Sequence, residues 1–190
     1  MGKGLNRNMK WNRFTVTSQC FTLEQVKEIN KAVKEVIAKV ESKEESSNAA
    51  KGASKTGKFF TVPCVPLMKI IYPWLHQCQE INRQHFGYDI QWQFHLDSFN
   101  YNIYGPKGEY DWHFDAKKPG TFSDIKLTCL LNLSEEPYEG GAFNSLTQKE
   151  IKFDSGMGLV INPLVAHQVT PITKGERITL TYWAMGPLWI

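Results

Sequence analysis

The stretch YNIYGPKGEYDWHFD, residues 101–115, decides the fold class of this chain. Tyr101 and Ile103 continue an apolar pattern of period two, and Gly105-Pro106 marks a turn, so the stretch predicts two strands joined by a short loop. The second strand ends in His113-Phe114-Asp115. In an extended strand that spacing places the imidazole and the carboxylate on one face, where both can bind a single metal ion.

The chain beyond Gly87 continues in strands. Apolar residues alternate with polar ones over Trp92–Leu96 and Phe99–Ile103, and no helical periodicity returns before Ile190. Turn signals built from Gly, Pro, Asn and Ser divide this half into short segments. Many short strands with regular turns are typical of a β-sandwich or jelly roll.

The N-terminal part predicts helices. Residues Trp11–Phe21 alternate loosely and predict a first strand, after which Thr22 opens a capping box, T-L-E-Q. Apolar residues then recur at helical spacing over Leu23–Val40 and again over Leu67–Phe86, with Gly87 as the stop signal. Helices followed by strands indicate that the helices pack on one face of a sheet.

The fold class is therefore predicted as α+β and mostly β. We expect one domain over residues 1–190, with a helical part at 1–87 and a β-sandwich or jelly-roll core at 88–190. Between the helices, Glu41–Lys58 is rich in Ser, Lys, Glu, Ala and Gly and predicts a surface loop. Such a loop is either a plain excursion or a lid over a site.

Composition and charge exclude several classes of protein. The net charge of +3 comes from scattered lysines rather than a basic run, so no nucleic-acid partner is expected. No apolar stretch has the length of a membrane span, and we expect a cytoplasmic protein without a membrane partner. The four cysteines are widely spaced and form no C-x-x-C pair, which argues against a zinc knuckle or a disulfide framework.

A third metal ligand is available in the segment GLVINPLVAHQV, which ends near His167. In a closed double sheet, distant strands face each other across the interior, so His167 can join His113 and Asp115 on one face of a metal. This arrangement leaves coordination positions open and is the one used by non-haem Fe(II) oxygenases. His95-Leu96-Asp97 repeats the same spacing, and we interpret His95 as structural.

Arg177 lies on an alternating strand, RITLTYW, with Thr179 on the same face. An arginine directed into a barrel needs an anion, and its guanidinium binds a carboxylate through two parallel hydrogen bonds. The Thr179 hydroxyl can add a third donor. An internal salt bridge to Asp or Glu explains Arg177 equally well at this stage.

Four segments in this order resemble the prolyl 4-hydroxylase-like branch of the Fe(II)- and 2-oxoglutarate-dependent dioxygenases: YNIYGPKGEYDWHFD, IKLTCLLNLS, YEGGAF and GMGLVINPLVAHQVTPITKGERITLTYWAMGP. The resemblance covers about half of the chain, Tyr101 to Pro187. It implies a double-stranded β-helix (jelly roll) core in which His113, Asp115 and His167 bind Fe(II), and Arg177 with Thr179 holds the distal carboxylate of 2-oxoglutarate. Tyr104 matches a tyrosine that lines the cosubstrate pocket, and Asn132 falls where family members place a side chain near the same cosubstrate.

The resemblance further implies a hydroxylase that consumes O2 and 2-oxoglutarate and releases succinate and CO2, with ascorbate admitted as an accessory reductant. The expected partner is a peptide or protein substrate, with proline as the leading target residue. The alternatives are a hydroxylase of a free amino acid or other small molecule, a demethylase of nucleic-acid bases, and a jelly-roll binding module without catalysis.

Overall fold

The computed structural model describes residues 15–46, 54–94, 97–116 and 124–187. Helices α1 (Leu23–Lys39) and α2 (Met68–Ile81) lie in the N-terminal part. The strands of the described ranges are β1 (Thr15–Gln19), β2 (Glu45–Ser46), β3 (Lys55–Thr56), β4 (Lys58–Pro63), β5 (Ser98–Tyr104), β6 (Glu109–His113), β7 (Ile125–Asn132), β8 (Glu139–Gly140), β9 (Phe143–Ser145), β10 (Gln148–Ile151), β11 (Met157–Ile161), β12 (His167–Val169), β13 (Ile172–Lys174) and β14 (Arg177–Met185).

Helix α1 begins where the sequence predicts it. The Thr22 hydroxyl accepts a hydrogen bond from the Gln25 backbone N–H at 3.4 Å, and the Gln25 side chain accepts one from the Thr22 N–H at 2.9 Å. This reciprocal capping box satisfies two of the N–H groups that every helix start leaves unpaired. Strand β1 before it confirms the predicted first strand over residues 15–19, whereas residues 11–14 lie outside the described ranges.

Helix α2 is extended at both ends. A 3₁₀ turn (Val65–Leu67) precedes it, a π-helical turn (Asn82–Phe86) follows it, and Gly87 ends the run in the left-handed conformation at φ 69°. Glycine adopts that conformation without steric cost, which is why it stops helices. Among the described residues, no helix combines the length and the apolar character needed to cross a membrane.

The strands form two large antiparallel sheets and one small one. The seven-stranded sheet has the order β1-β11-β7-β14-β5-β4-β2, the five-stranded sheet has the order β10-β9-β12-β6-β3, and β13 pairs with β8. Side chains of both large sheets share one apolar cluster that includes Leu130 and Leu159 from one sheet and Phe143 and Val169 from the other. The sheets therefore face each other, and the predicted double-stranded β-helix is confirmed.

The helices pack on the outer face of the seven-stranded sheet. Val33 of α1 and Trp74 of α2 share a buried cluster with Leu131 of β7 and Leu180 and Tyr182 of β14. The residues between these, such as those at 130 and 179, point to the opposite face because strand side chains alternate. One face of this sheet therefore carries the main core, and the other is free to form a site.

The predicted strand over Trp92–Leu96 is wrong for the residues that the structure describes. Residues 88–93 have no regular structure and Phe94 lies in a turn, while positions 95 and 96 fall outside the described ranges. The aromatic rings instead cover the core, since Trp92 and Phe94 lie 5.8 and 5.5 Å from the Tyr182 ring. The alternation reflected ring packing rather than strand pairing.

The predicted loop over Glu41–Lys58 is also wrong in part, because β2, β3 and the start of β4 lie within it. Strand β3 pairs with β6, where Lys55 is opposite Tyr110, and β4 pairs with β5 along its whole length. Edge strands are held by backbone hydrogen bonds and tolerate Lys, Ser and Gly, so composition concealed them. Residues 47–53, which bear on the lid hypothesis, lie outside the described ranges.

A matched pair of leucines tests this layering. Leu131 is fully buried between the sheet and the helices, whereas Leu146 is 70% exposed. We expect Leu131→Ala to lower the free energy of unfolding by about 2–5 kcal/mol, because it removes buried methyl groups and leaves a cavity. Leu146→Ala should change it by less than about 0.5 kcal/mol in the same urea titration. Equal effects would contradict the assignment of the core.

Candidate metal and cosubstrate site

Three potential metal ligands converge at one end of the five-stranded sheet. His113 ends β6, Asp115 follows it, and His167 begins β12 directly opposite His113 in the antiparallel register. Ligand atoms from these residues all lie within 4.8 Å of one another. The sequence argument expected His167 to face His113 across the interior, whereas the two are neighbours on adjacent strands of the same sheet.

Both imidazoles are oriented by the backbone. The Nδ1 atom of His113 lies 2.7 Å from the Asp111 carbonyl, and that of His167 lies 3.0 Å from the Val165 carbonyl. A carbonyl can only accept, so each Nδ1 carries the proton and each Nε2 is left as a ligand. Both Nε2 atoms face the carboxylate of Asp115, at 3.5 Å from His113 and 3.3 Å from His167.

Aromatic rings hold the two imidazoles in place. The Tyr110 ring stacks on His113 with centroids 3.4 Å apart, and Phe143 stacks on His167 at 5.3 Å. The register between β6 and β12 shifts between His113 and Tyr110. Such a bulge places an extra residue in one strand, so side chains three positions apart can share a face. The irregular strand is therefore what brings Tyr110 against the ligand.

Asp115 is an anchored carboxylate. The Thr128 hydroxyl donates a hydrogen bond to its Oδ2 at 2.6 Å. Burial alone raises the pKa of Asp115, but the hydrogen bonds and charges of His113 and His167 outweigh it and hold the pKa far below its ordinary range. The group is therefore ionised at neutral pH and can neutralise part of a metal's charge.

His167 shows the reciprocal effect. Burial lowers its pKa, yet the hydrogen bond and charge of Asp115 outweigh burial, so the pKa lies above the ordinary value of 6.5. In the absence of a metal, a proton at Nε2 takes the place of the cation. Protons and metal ions therefore compete for this nitrogen.

The donor set fits Fe(II). Two imidazoles and one carboxylate on one face of an ion, with the other positions open, are the ligands of non-haem Fe(II) oxygenases. Ligand atoms about 2.0–2.2 Å from a metal and at right angles lie about 3 Å apart, close to the separations from Asp115 to the two histidines. A small inward movement of the three side chains would complete the coordination.

Arg177 lines the same cavity as these ligands. Its side chain is 1% exposed, and its Nε and Nη2 atoms have no hydrogen-bond partner among the described residues. The sequence also allowed an internal salt bridge from Arg177 to Asp or Glu, and no such ion pair forms among the described residues. Buried donors without partners are costly, so the cavity is built to receive an anion.

The surroundings of Arg177 keep space for its side chain. The guanidinium carbon lies 5.6 Å from the Tyr104 ring centroid and 5.5 Å from that of Phe153. A Cβ atom at Gly141 would lie 2.3 Å from the Ile172 Cδ1 and 3.1 Å from the Arg177 Cδ, and Gly141 has a φ of +64°. Glycine is therefore favoured here by its left-handed conformation and by the close approach of Ile172.

Tyr104 and Thr179 line the cavity as expected, but Asn132 does not. The Asn132 amide donates to the Phe153 carbonyl at 2.6 Å, and its oxygen accepts from the Ser134 N–H at 2.9 Å. Asn132 is opposite Thr179 in the sheet, but the segment around Phe153 covers it. Its predicted contact with the cosubstrate is not supported by this position. The roles of the other site residues stay predictions.

Other residues of the cavity were missed by the sequence argument. They are Lys55, Asn102, Thr128, Leu130, Phe143 and Val169. Alternation with Tyr104 places Asn102 on the inner face, so this residue could have been found. Lys55 gave no such signal, because it lies in the segment predicted as loop. His95 lies outside the described residues.

The contact between Thr128 and Asp115 should support metal binding. We expect Thr128→Val to weaken Mn(II) binding by about ten- to hundredfold, because outer hydrogen bonds orient the ligand carboxylate. Valine keeps the shape of the side chain and removes the hydroxyl. The exposed Thr173 provides a control, and Thr173→Val should bind as the unaltered protein does in the same calorimetric titration. Unchanged affinity in the Thr128 variant would contradict an orienting role.

Metal affinity should also depend on pH through His167. Because its pKa is raised, the competing proton is bound at low pH and lost as the pH rises through that pKa, while Asp115 stays ionised. We expect the apparent affinity for Mn(II) to fall by about tenfold per pH unit below the pKa of His167. The exposed His76 serves as a control, and His76→Gln should leave the profile unchanged. A flat profile between about pH 5.5 and 8.5 would oppose this assignment.

Comparison with known proteins finds similar sequences for the part of the chain that carries these ligands. Residues 99–185 match the family model of the 2OG-Fe(II) oxygenase superfamily. A PKHD-type hydroxylase from Alteromonas mediterranea is 34% identical over 93 residues, covering 44% of this chain and 41% of that protein. One from Shewanella frigidimarina gives the same values. The chain thus matches about two fifths of the length of these relatives.

Solved structures extend the likeness to nearly the whole chain. A Pseudomonas putida prolyl-4-hydroxylase has a TM-score of 0.67 at 17% identity, covering 92% of this chain and 93% of that one. A viral collagen prolyl hydroxylase from Paramecium Bursaria Chlorella virus-1 has a TM-score of 0.67 at 16% identity, covering 92% and 97%. At these identities the likeness is one of fold. By sequence, residues 99–185 are similar to the 2OG-Fe(II) oxygenase superfamily, and by fold the chain is similar to these prolyl hydroxylases.

Proposed function

We propose that this protein is an Fe(II)- and 2-oxoglutarate-dependent hydroxylase of a peptidyl residue, with proline as the first candidate. The observation that carries the proposal is the pairing, in one cavity, of an open three-ligand metal face with a buried Arg177 whose donors await an anion. A structural metal site has no need of a buried cation aimed at a ligand. A cosubstrate with a carboxylate at each end needs both a metal ion for one end and a buried cation for the other.

Each of the proposed site residues has a task in this reaction. His113, Asp115 and His167 hold the metal, and Arg177 with Thr179 binds the distal carboxylate of 2-oxoglutarate through charge-assisted hydrogen bonds. When bound, iron and cosubstrate supply the oxidising chemistry, which consumes O2 and releases succinate and CO2. The protein fixes the distance and direction between these groups, which is its main contribution to rate.

A peptide substrate is supported by the rim of the site. Trp112 and Phe114 flank His113 and are 39% and 56% exposed. Exposed aromatic side chains beside a metal ligand offer an apolar surface on which a proline ring or a peptide side chain can pack. The similar proteins described above, PKHD-type hydroxylases and prolyl hydroxylases, also favour a peptidyl substrate. A cytoplasmic location stays a prediction.

The proposal is tested with the metal-loaded protein and a panel of proline-containing peptides. We expect Fe(II), 2-oxoglutarate and O2 to give succinate slowly without substrate, and faster with a peptide that gains the mass of one oxygen atom. Mass spectrometry of the peptides and an assay of succinate measure both products in the same sample.

Two variants test the metal site, and two outcomes distinguish the alternative functions. Asp115→Ala should reduce succinate to the level without protein, because it removes a ligand and leaves the metal charge uncompensated. Asp154→Ala, at a largely exposed carboxylate paired with Lys152, should retain turnover. Conversion of a free amino acid without any peptide would indicate a small-molecule hydroxylase. A protein that binds metal but makes no succinate would be a binding module.

A further inference from the structure

Lys55 brings a second cation into the cavity from outside the segment that matches the superfamily, which begins at residue 99. It lies on β3, at the edge of the five-stranded sheet, and is 9% exposed. Its side chain crosses to the seven-stranded sheet, where its ammonium donates a hydrogen bond to the Asn102 Oδ1 at 3.0 Å. The Phe59 ring supports the ammonium, with the nitrogen 3.8 Å from the ring centroid.

The ammonium reaches the part of the cavity that holds the anion-binding residues. Asn102 is the register partner of Thr179, and its amide nitrogen lies 3.4 Å from the Thr179 hydroxyl and 3.1 Å from the Thr181 hydroxyl. Arg177 lies two residues before Thr179 on the same face of β14. A chain of contacts therefore connects Lys55, through Asn102, to the row that carries the arginine.

The charges of the cavity favour a bound anion at this position. Lys55 and Arg177 are both cationic, whereas Asp115 is the one carboxylate among the described residues that line the cavity. Asp115 is already engaged by His113, His167 and Thr128. Two like charges facing one small buried space repel each other, and an anion placed between them turns this repulsion into attraction.

We infer that Lys55 is a further binding residue for the dicarboxylate cosubstrate and contacts its distal carboxylate together with Arg177. This inference rests on the proposed function, since it assigns a residue to the same cosubstrate. The aromatic support from Phe59 and the hydrogen bond to Asn102 hold the ammonium in place, so little side-chain freedom remains to be lost when the ligand binds.

The test measures binding rather than turnover. The protein is loaded with Mn(II) under nitrogen and titrated calorimetrically with 2-oxoglutarate and with 2-oxopentanoate, which has the same chain and 2-oxo acid but ends in a methyl group. We expect Lys55→Met to weaken 2-oxoglutarate binding by about ten- to hundredfold, as loss of a charge-assisted hydrogen bond does. Binding of 2-oxopentanoate should change little, because it has no distal carboxylate.

Four further variants make the result interpretable. Lys58→Met removes an exposed lysine, paired with Glu44, three residues away and should leave both affinities unchanged. Lys55→Arg should retain much of the preference for 2-oxoglutarate, and Arg177→Met should lose it more fully than Lys55→Met does. If Lys55→Met unfolds, as judged by circular dichroism, Lys55→Gln keeps most of the side chain's volume and is expected to show the same selective loss.

The outcomes distinguish this inference from the proposal on which it rests. Unchanged 2-oxoglutarate binding in Lys55→Met or Lys55→Gln, or equal weakening of both acids, would overturn the role of Lys55 while leaving the proposed function intact. Failure of the unaltered Mn(II)-loaded protein to prefer 2-oxoglutarate over 2-oxopentanoate would overturn both.

Discussion

The antiparallel pairing of β6 with β12 is the constraint on which the site depends. It places His167 directly opposite His113, the last residue of β6, and Asp115 follows β6 two residues later. Backbone carbonyls then fix the tautomers of both imidazoles. Because side chains alternate along a strand, a shift of one residue in this register would turn one imidazole away from the other. The metal face is therefore a property of sheet pairing rather than of any single residue.

The anion-binding residues belong to the other sheet. Arg177 and Thr179 lie on β14, in the middle of the seven-stranded sheet, with Tyr104 and Asn102 beside them on β5. The outer face of this sheet packs against both helices. No residue of α1 or α2 lines the cavity, and the helices support the sheet by packing on its opposite face. Each sheet contributes one half of the site, and the contacts between the sheets bring the halves together.

Much of this could be predicted from the sequence, because it follows from local spacing. Helical periodicity and a capping box gave the first helix, and the H-x-D pair with a distant histidine gave three residues whose ligand atoms the fold brings within 4.8 Å of one another. Lys55 could not be found, since the edge strand that carries it has the composition of a loop. The resemblance placed Asn132 near the cosubstrate, but only the fold shows that its amide donates a hydrogen bond to the Phe153 carbonyl. Pairing between remote segments leaves little trace in composition.

The division of the site between two sheets has a consequence for selectivity. The proposed metal ligands are fixed to one layer and the arginine to the other, so the thickness of the packing between the layers sets how long a molecule can bridge them. Leu130 and Phe143 contribute to that packing from opposite sheets. Under the proposed function, the volumes of these interior side chains therefore set the length of the acid that the cavity accepts.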